Sequence, residues 1–116
     1  MTVQLLNDKF SYMKKIEKNS QDELNILSKI KSKPQSSQRE LANDLGLSLG
    51  KLNYCLKALQ QKGLVKILNF SKQKNKVKYI QYVLTPKGIS ERTRLTINFM
   101  KRKMQEYDEL KKNLNN

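Results

Sequence analysis

Ser37-Gln38-Arg39-Glu40-Leu41-Ala42-Asn43-Asp44-Leu45-Gly46-Leu47-Ser48-Leu49-Gly50-Lys51-Leu52-Asn53-Tyr54-Cys55-Leu56-Lys57-Ala58-Leu59 holds two helix starts with one stop between them. Ser37 and Glu40 form a capping box, in which each side chain satisfies an orphan N–H of the first turn, so a short helix carrying Leu41, Ala42 and Leu45 begins there. Gly46 stops that helix, because the left-handed position after a helix costs glycine least. Leu47 plugs the core across the turn, and Ser48 caps a second helix expected to run to about Lys62. Leu52, Leu56 and Leu59 line one face of it, with Gly63 as its stop. Two helices joined by a short glycine-containing turn make a helix-turn-helix pattern.

Upstream, Val3, Leu6, Phe10 and Met13 recur at helical spacing and predict an amphipathic helix over residues 2–18. Ser20-Gln21-Asp22-Glu23 reads as another capping box, opening a separate helix with Leu24, Ile26, Leu27 and Ile30 on one face. Lys33-Pro34 ends it, since a residue before proline avoids the helical region. Downstream, Leu64–Phe70 and Val77–Leu84 are rich in β-branched and aromatic residues and predict a hairpin, with Ser71–Lys76 as its loop. Thr85-Pro86 supplies an N-cap and a proline at the first helical position of a last helix reaching about Leu114. The expected fold class is mainly α with a small β element: a winged helix-turn-helix with a two-stranded wing and a long C-terminal dimerisation helix. The corresponding division is an N-terminal helix at 1–19, the winged domain at 20–85 and the dimerisation helix at 86–116.

Twenty-four Lys and Arg against ten Asp and Glu leave a net charge of +14 on 116 residues. That balance favours a polyanionic partner. Its distribution sharpens the point: from Leu45 to Ser90 there are nine lysines (51, 57, 62, 66, 72, 74, 76, 78 and 87) and no acid. Ordinary solvated surfaces mix the two signs.

On the helix from Ser48, the leucine face turns inward and leaves Ser48, Gly50, Lys51, Asn53, Tyr54 and Lys57 outside, mostly in the first two turns. A recognition helix presents side chains to the major groove of double-stranded DNA from that place. Asn pairs bidentately with adenine, Lys reaches guanine acceptors, and Gly50 permits close approach of a phosphate. An amphipathic helix with a merely polar surface would look similar in isolation; its position after a turn and before a hairpin supports the DNA reading. Lys72, Lys74, Lys76 and Lys78 at the hairpin tip, with Arg39 flanking the turn, would hold phosphates. The competing reading is that alternating lysines only protect a strand edge. With four arginines in the chain and none in the hairpin, backbone contact is expected over base readout, and affinity should be strongly salt-dependent.

The last helix carries Thr93, Ile97, Met100, Met104, Tyr107, Lys111 and Leu114 at alternating spacings of four and three, with Lys111 as a polar break. Leu95, Phe99 and Leu110 add a second stripe. One small domain cannot cover both, so Ile97, Met100, Met104, Tyr107 and Leu114 are expected to form a homodimer seam. The alternative is that the N-terminal helix covers the stripe within one chain.

From Ser37-Gln38-Arg39-Glu40-Leu41-Ala42 through Leu45–Leu59 and Lys62-Gly63-Leu64-Val65-Lys66, the sequence resembles the MarR family of bacterial transcription regulators. It is most similar to the exopolysaccharide-associated subgroup. The resemblance resumes at Asn75–Tyr79, Leu84-Thr85-Pro86-Lys87-Gly88, Thr93–Thr96 and Lys101-Arg102-Lys103-Met104. It implies a prokaryotic, often dimeric DNA-binding regulator from a group associated with polysaccharide biosynthesis loci. The chain departs from the broader family's wing, where Lys76 and Lys78 stand at the usual Asp and Arg positions.

Other classes have little to stand on. There is no histidine, no cysteine pair and no glycine-rich phosphate loop, so neither an enzyme, a metal site nor a cofactor is expected. Eight aromatics and no visible stacking platform make RNA a weaker partner than duplex DNA. A winged-helix module for protein association, with solvating lysines, remains the alternative function. Cys55, the single cysteine, sits beside the leucine face and reads as a small core residue. No apolar run nears the roughly 20 residues of a membrane span, and no secretory pattern opens the chain, so a cytoplasmic protein is expected. No polar cluster in the sequence marks a pocket for a small-molecule effector.

Overall fold

The computed structural model describes residues 3–72 and 77–115. Among them the order is α1 (Val3–Ser32), α2 (Gln38–Leu45), α3 (Leu49–Gln61), β1 (Val65–Lys72), β2 (Val77–Leu84) and α4 (Pro86–Leu114). The strands form a two-stranded antiparallel sheet in a register running from Val65↔Leu84 to Lys72↔Val77. Four helices with one hairpin make a mainly helical winged helix, the expected class.

The core lies where the helix-turn-helix predicts it. Leu24, Ile26, Leu27 and Ile30 of α1 meet Leu41 and Ala42 of α2, and Leu52, Leu56 and Leu59 of α3. Leu64, Val65 and Tyr82 close it from the hairpin base, and Leu95 from α4. Seven of the large side chains are essentially sealed from water, each such burial being worth about 1.5–3 kcal/mol.

The predicted break between two N-terminal helices is absent. α1 runs through Ser20-Gln21-Asp22-Glu23 as one helix of 30 residues. A capping motif satisfies orphan N–H groups only where a helix begins; it does not force a beginning. Ending a helix needs a residue that cannot continue it, and no glycine or proline occurs between Val3 and Ser32. The motif's side chains serve elsewhere. Gln21 donates to Asn25 Oδ1 at 2.9 Å, and Glu23 pairs with Lys62 at the C-cap of α3.

Both long helices reach past the core. A helix of 29 residues is about 44 Å long. The chain measures 67 × 33 × 25 Å with a radius of gyration of 18.5 Å, against roughly 13 Å for a compact domain of this length. Beyond Phe99, which packs against the core, α4 projects with its side chains largely in water.

Candidate nucleic-acid interface

The turn before α3 is built by hydrogen bonds that the sequence encodes locally. Gly46 sits at φ 66°, its N–H reaches Asn43 O at 3.2 Å, and Leu47 N–H reaches back to Ala42 O at 2.9 Å. This is the double closure of a Schellman motif, and Leu47 supplies its hydrophobic contact by packing on the core. Ser48 follows in an extended conformation, and its Oγ accepts from Lys51 N at 3.1 Å. Capping of this kind is worth about 1 kcal/mol and sets where α3 starts.

With Leu52, Leu56 and Leu59 fully buried, the rotation of α3 is set. Ser48, Gly50, Lys51, Asn53, Tyr54 and Lys57 come together on its exposed side. Tyr54 is 72% exposed, and the Lys51 ammonium lies 5.9 Å from its ring centroid. A Cβ added at Gly50 would meet nothing within 4 Å, so nothing inside this chain requires glycine there. Leu49, exposed at the start of α3, is not among the residues expected from the sequence. The sequence signal for it was its position outside the leucine face. Arg39 is exposed on the neighbouring α2.

The hairpin is fastened to this assembly at its base. Gln38 Nε2 donates to the hydroxyl of buried Tyr82 at 2.5 Å, joining α2 to β2. Lys72 and Lys78 lie at the far end of the ladder, in the pairs Lys72↔Val77 and Ser71↔Lys78. Lys74 and Lys76 lie outside the described residues. Lys66, on β1 and exposed, adds a cation nearer the base; the sequence places it in the acid-free block without assigning it to the interface.

Two of the nine lysines in the acid-free block serve the fold. Lys62 pairs with Glu23, brought from α1, and Lys87 Nζ donates to Lys62 O at 3.2 Å, where the negative end of the α3 dipole favours a cation. They cluster with Thr85, whose N–H donates to Leu64 O at 3.0 Å and whose Oγ1 donates to Gly63 O at 2.6 Å while accepting from Gly88 N at 3.0 Å. Gly88 packs so tightly on Leu64 O that a Cβ would lie 2.0 Å from it. The start of α4 is thereby clamped to the end of α3.

Cys55 is half-buried against the core. Burial pushes its thiol up, Lys51 opposes the shift, and the carboxylates of Asp22 and Glu23 reinforce it. Such a thiol is a poor nucleophile at neutral pH.

On α4, Ile97, Met100, Met104, Tyr107 and Leu114 are all exposed, from 46% at Ile97 to 86% at Leu114. α1 packs on α4 further back, where Arg92 Nε donates to Ser28 Oγ at 3.2 Å, and leaves this seam open. At that junction the fold makes an open polar groove of about 500 Å³, lined in part by Ser28, Lys29, Asp44 and Arg92. Asp44 lies 3.8 Å from Lys29 Nζ and 3.6 Å from Lys33 Nζ. The sequence shows no such cluster, because its members come from three helices. No group of three or more potential metal ligands occurs among the described residues. No helix among them is long and apolar enough to cross a membrane.

These features define a winged helix-turn-helix with an exposed, cationic second helix. Residues 23–66 match the family model for winged helix-turn-helix DNA-binding. Among solved structures, the chain is similar to a point mutant of MepR from S. aureus bound to an oligodeoxyribonucleotide, at 17% identity and TM-score 0.58, covering 98% of this chain and 94% of that one. It is similar to a MarR family transcription regulator at 16% identity and TM-score 0.59, covering 96% and 85%. It also resembles the PcaV transcriptional regulator from Streptomyces coelicolor, solved with its natural ligand, at 15% identity and TM-score 0.57, covering 78% and 70%. At these identities the likeness is one of fold: the chain has the winged-helix architecture of MarR-family regulators. Among curated protein sequences, none matches.

Proposed function

We propose that the protein is a homodimeric transcription regulator that binds double-stranded DNA sequence-specifically. The carrying observation is the outer face of α3, where Ser48, Gly50, Lys51, Asn53, Tyr54 and Lys57 stand together in a stretch free of acidic residues. Asn53 and Lys51 would read base edges, while Arg39 and the wing lysines 72, 74, 76 and 78 would hold phosphates. The match of residues 23–66 to a DNA-binding winged-helix model supports the same reading. So does the fold shared with an oligonucleotide-bound MepR mutant. The exposed seam on α4 supports pairing of two chains, which suits a roughly palindromic operator. A role at polysaccharide biosynthesis loci rests on the motif resemblance to the exopolysaccharide-associated MarR subgroup.

The test is selection of bound duplexes from a random pool, then anisotropy titration against the selected and a scrambled duplex. Lys51→Ala or Asn53→Ala should cost about 1–3 kcal/mol on the selected duplex and little on the scrambled one. Lys74→Ala and Lys76→Ala should weaken both alike and lower the log–log salt slope by about 0.9 for each phosphate no longer neutralised. Unchanged discrimination in the α3 variants would reject α3 as the reading surface. Absence of any salt-sensitive duplex binding would replace the proposal with a protein-association module.

A further inference from the structure

We infer that the exposed seam of α4 takes a second copy of the same seam in antiparallel orientation, so that the two winged domains sit at opposite ends of the helix pair. The inference rests on the homodimer reading and adds its geometry. In heptad terms Ile97, Met104 and Lys111 occupy one core row, and Met100, Tyr107 and Leu114 the other. A parallel, in-register pair would set each residue against its own copy, so two Lys111 ammonium groups would meet in the seam. An antiparallel pair sets one row against the other. Ile97 then meets the partner's Leu114, Met104 meets the partner's Tyr107, and Met100 meets the partner's Lys111. Every apolar layer is filled, and the stem of Lys111 lies over a methionine while its head reaches water.

The charges beside the seam agree with that register. It brings Lys101 opposite the partner's Asp108, twice by symmetry. Neither residue has an ion-pair partner within 4.0 Å in its own chain among the described residues, whereas Lys103 already pairs with Glu106 at 3.1 Å and lies 5.6 Å from the Phe99 ring centroid. Lys103 is the residue a parallel pair would need to reach the partner's Asp108, so that arrangement competes with interactions already in place. The larger electrostatic effect acts at a distance. Each winged domain carries the acid-free lysine block of residues 45–90, and antiparallel pairing holds the two blocks apart.

Disulfide trapping in a Cys55→Ser background tests this. Ile97 and Leu114 are exposed, so cysteine at either position leaves the core intact. In the antiparallel pair, each position lies about 25 Å along the axis from its own copy, far beyond the roughly 7 Å that a disulfide spans between Cα atoms. Ile97→Cys alone and Leu114→Cys alone should therefore stay uncrosslinked on mild oxidation, while Ile97→Cys/Leu114→Cys links into dimers. Crosslinking of either single variant would overturn the antiparallel geometry while keeping the homodimer. Concentration-independent monomers by light scattering would overturn the homodimer itself, and a dimer that no variant crosslinks would place the interface elsewhere and overturn the inference. A second measurement leaves Cys55 untouched. Lys101→Glu should weaken dimerisation roughly tenfold in sedimentation, and Lys101→Glu/Asp108→Lys should restore it. Failure of the double variant to recover would also overturn the register.

Discussion

Gly50 and Gly88 are both helical glycines in a first turn, the second residue of α3 and the third of α4, and replacing each with alanine should move stability in opposite directions. Helix propensity alone predicts a gain at both sites, by up to about 1 kcal/mol. At Gly50 nothing lies within 4 Å of the added methyl, so that gain stands. At Gly88 the methyl would sit 2.0 Å from Leu64 O, about an ångström inside any real contact. Relief requires α4 to back away from Leu64, the residue just before β1, and Leu64 O is also the acceptor for Thr85 N at 3.0 Å. Overpacking costs about 1–3 kcal/mol. Weakening that hydrogen bond adds about 1 kcal/mol. After the propensity gain, Gly88→Ala should lose about 1–3 kcal/mol, which is roughly 5–15 °C in Tm for a domain of this size. Urea denaturation followed by circular dichroism reads both variants, with a shifted midpoint and an unchanged slope as the signature. A Gly88→Ala midpoint at or above the parent's would refute the close-approach argument. The same pair probes function. Gly50→Ala should be more stable yet bind duplex DNA more weakly, because its methyl stands where the α3 backbone would approach a phosphate.

Tyr82→Phe removes the hydroxyl that Gln38 reaches and should cost about 1 kcal/mol in the same urea assay; no loss would mean that the α2–β2 tie contributes nothing. Cys55, its thiol raised by burial, should alkylate more slowly at pH 8 than a free cysteine peptide and accelerate only at pH above the ordinary thiol range. Rapid iodoacetamide labelling at neutral pH would contradict this. Lys62→Met breaks the pair with Glu23, but Lys62 is half-exposed and screened by water, so the expected change stays under about 1 kcal/mol. Its effect on duplex affinity should be smaller than that of Lys57→Met, since Lys57 stands on the outer face of α3.

What was legible in the sequence was local. The caps at Ser37, Ser48 and Thr85 each accept from the N–H three residues on, as the spacing predicts, because a cap and its partner sit within one turn. Gly46 closes its helix for the same reason. The leucines of α3 were readable because period and burial coincide. The features that were misread or missed depend on segments distant in sequence. Nothing in Ser20–Glu23 says whether the chain before it is already helical, so a sound capping signal pointed to a break that α1 does not have. Gly88 looks like any scattered glycine until Leu64, 24 residues earlier, brings its carbonyl against it. The pairing of Lys62 with Glu23 and the groove at Arg92, Lys29 and Asp44 likewise need tertiary contact before they exist.

The clamp at Thr85 and Gly88 links the two halves of the proposed function. Thr85 holds Gly63 and Leu64, Lys87 holds the carbonyl of Lys62 at the C-cap of α3, and Gly88 admits no gap between α4 and that junction. A shift of α4 is thus passed to the C-terminal end of α3 with little slack. Two copies joined through α4 would have their α3 helices set at a spacing fixed by the seam register and this clamp. A flexible linker in that place would let one dimer accept half-sites at many spacings. A rigid one confines it to duplexes whose half-sites match, so spacing itself becomes part of what is read. On this argument Gly88→Ala reaches beyond stability: by shifting α4 at its root, it should broaden the range of half-site spacings recovered from a random pool, even while Lys51 and Asn53 read the same bases. A selected pool with the parent's single spacing would show that the clamp stabilises the fold without governing operator geometry.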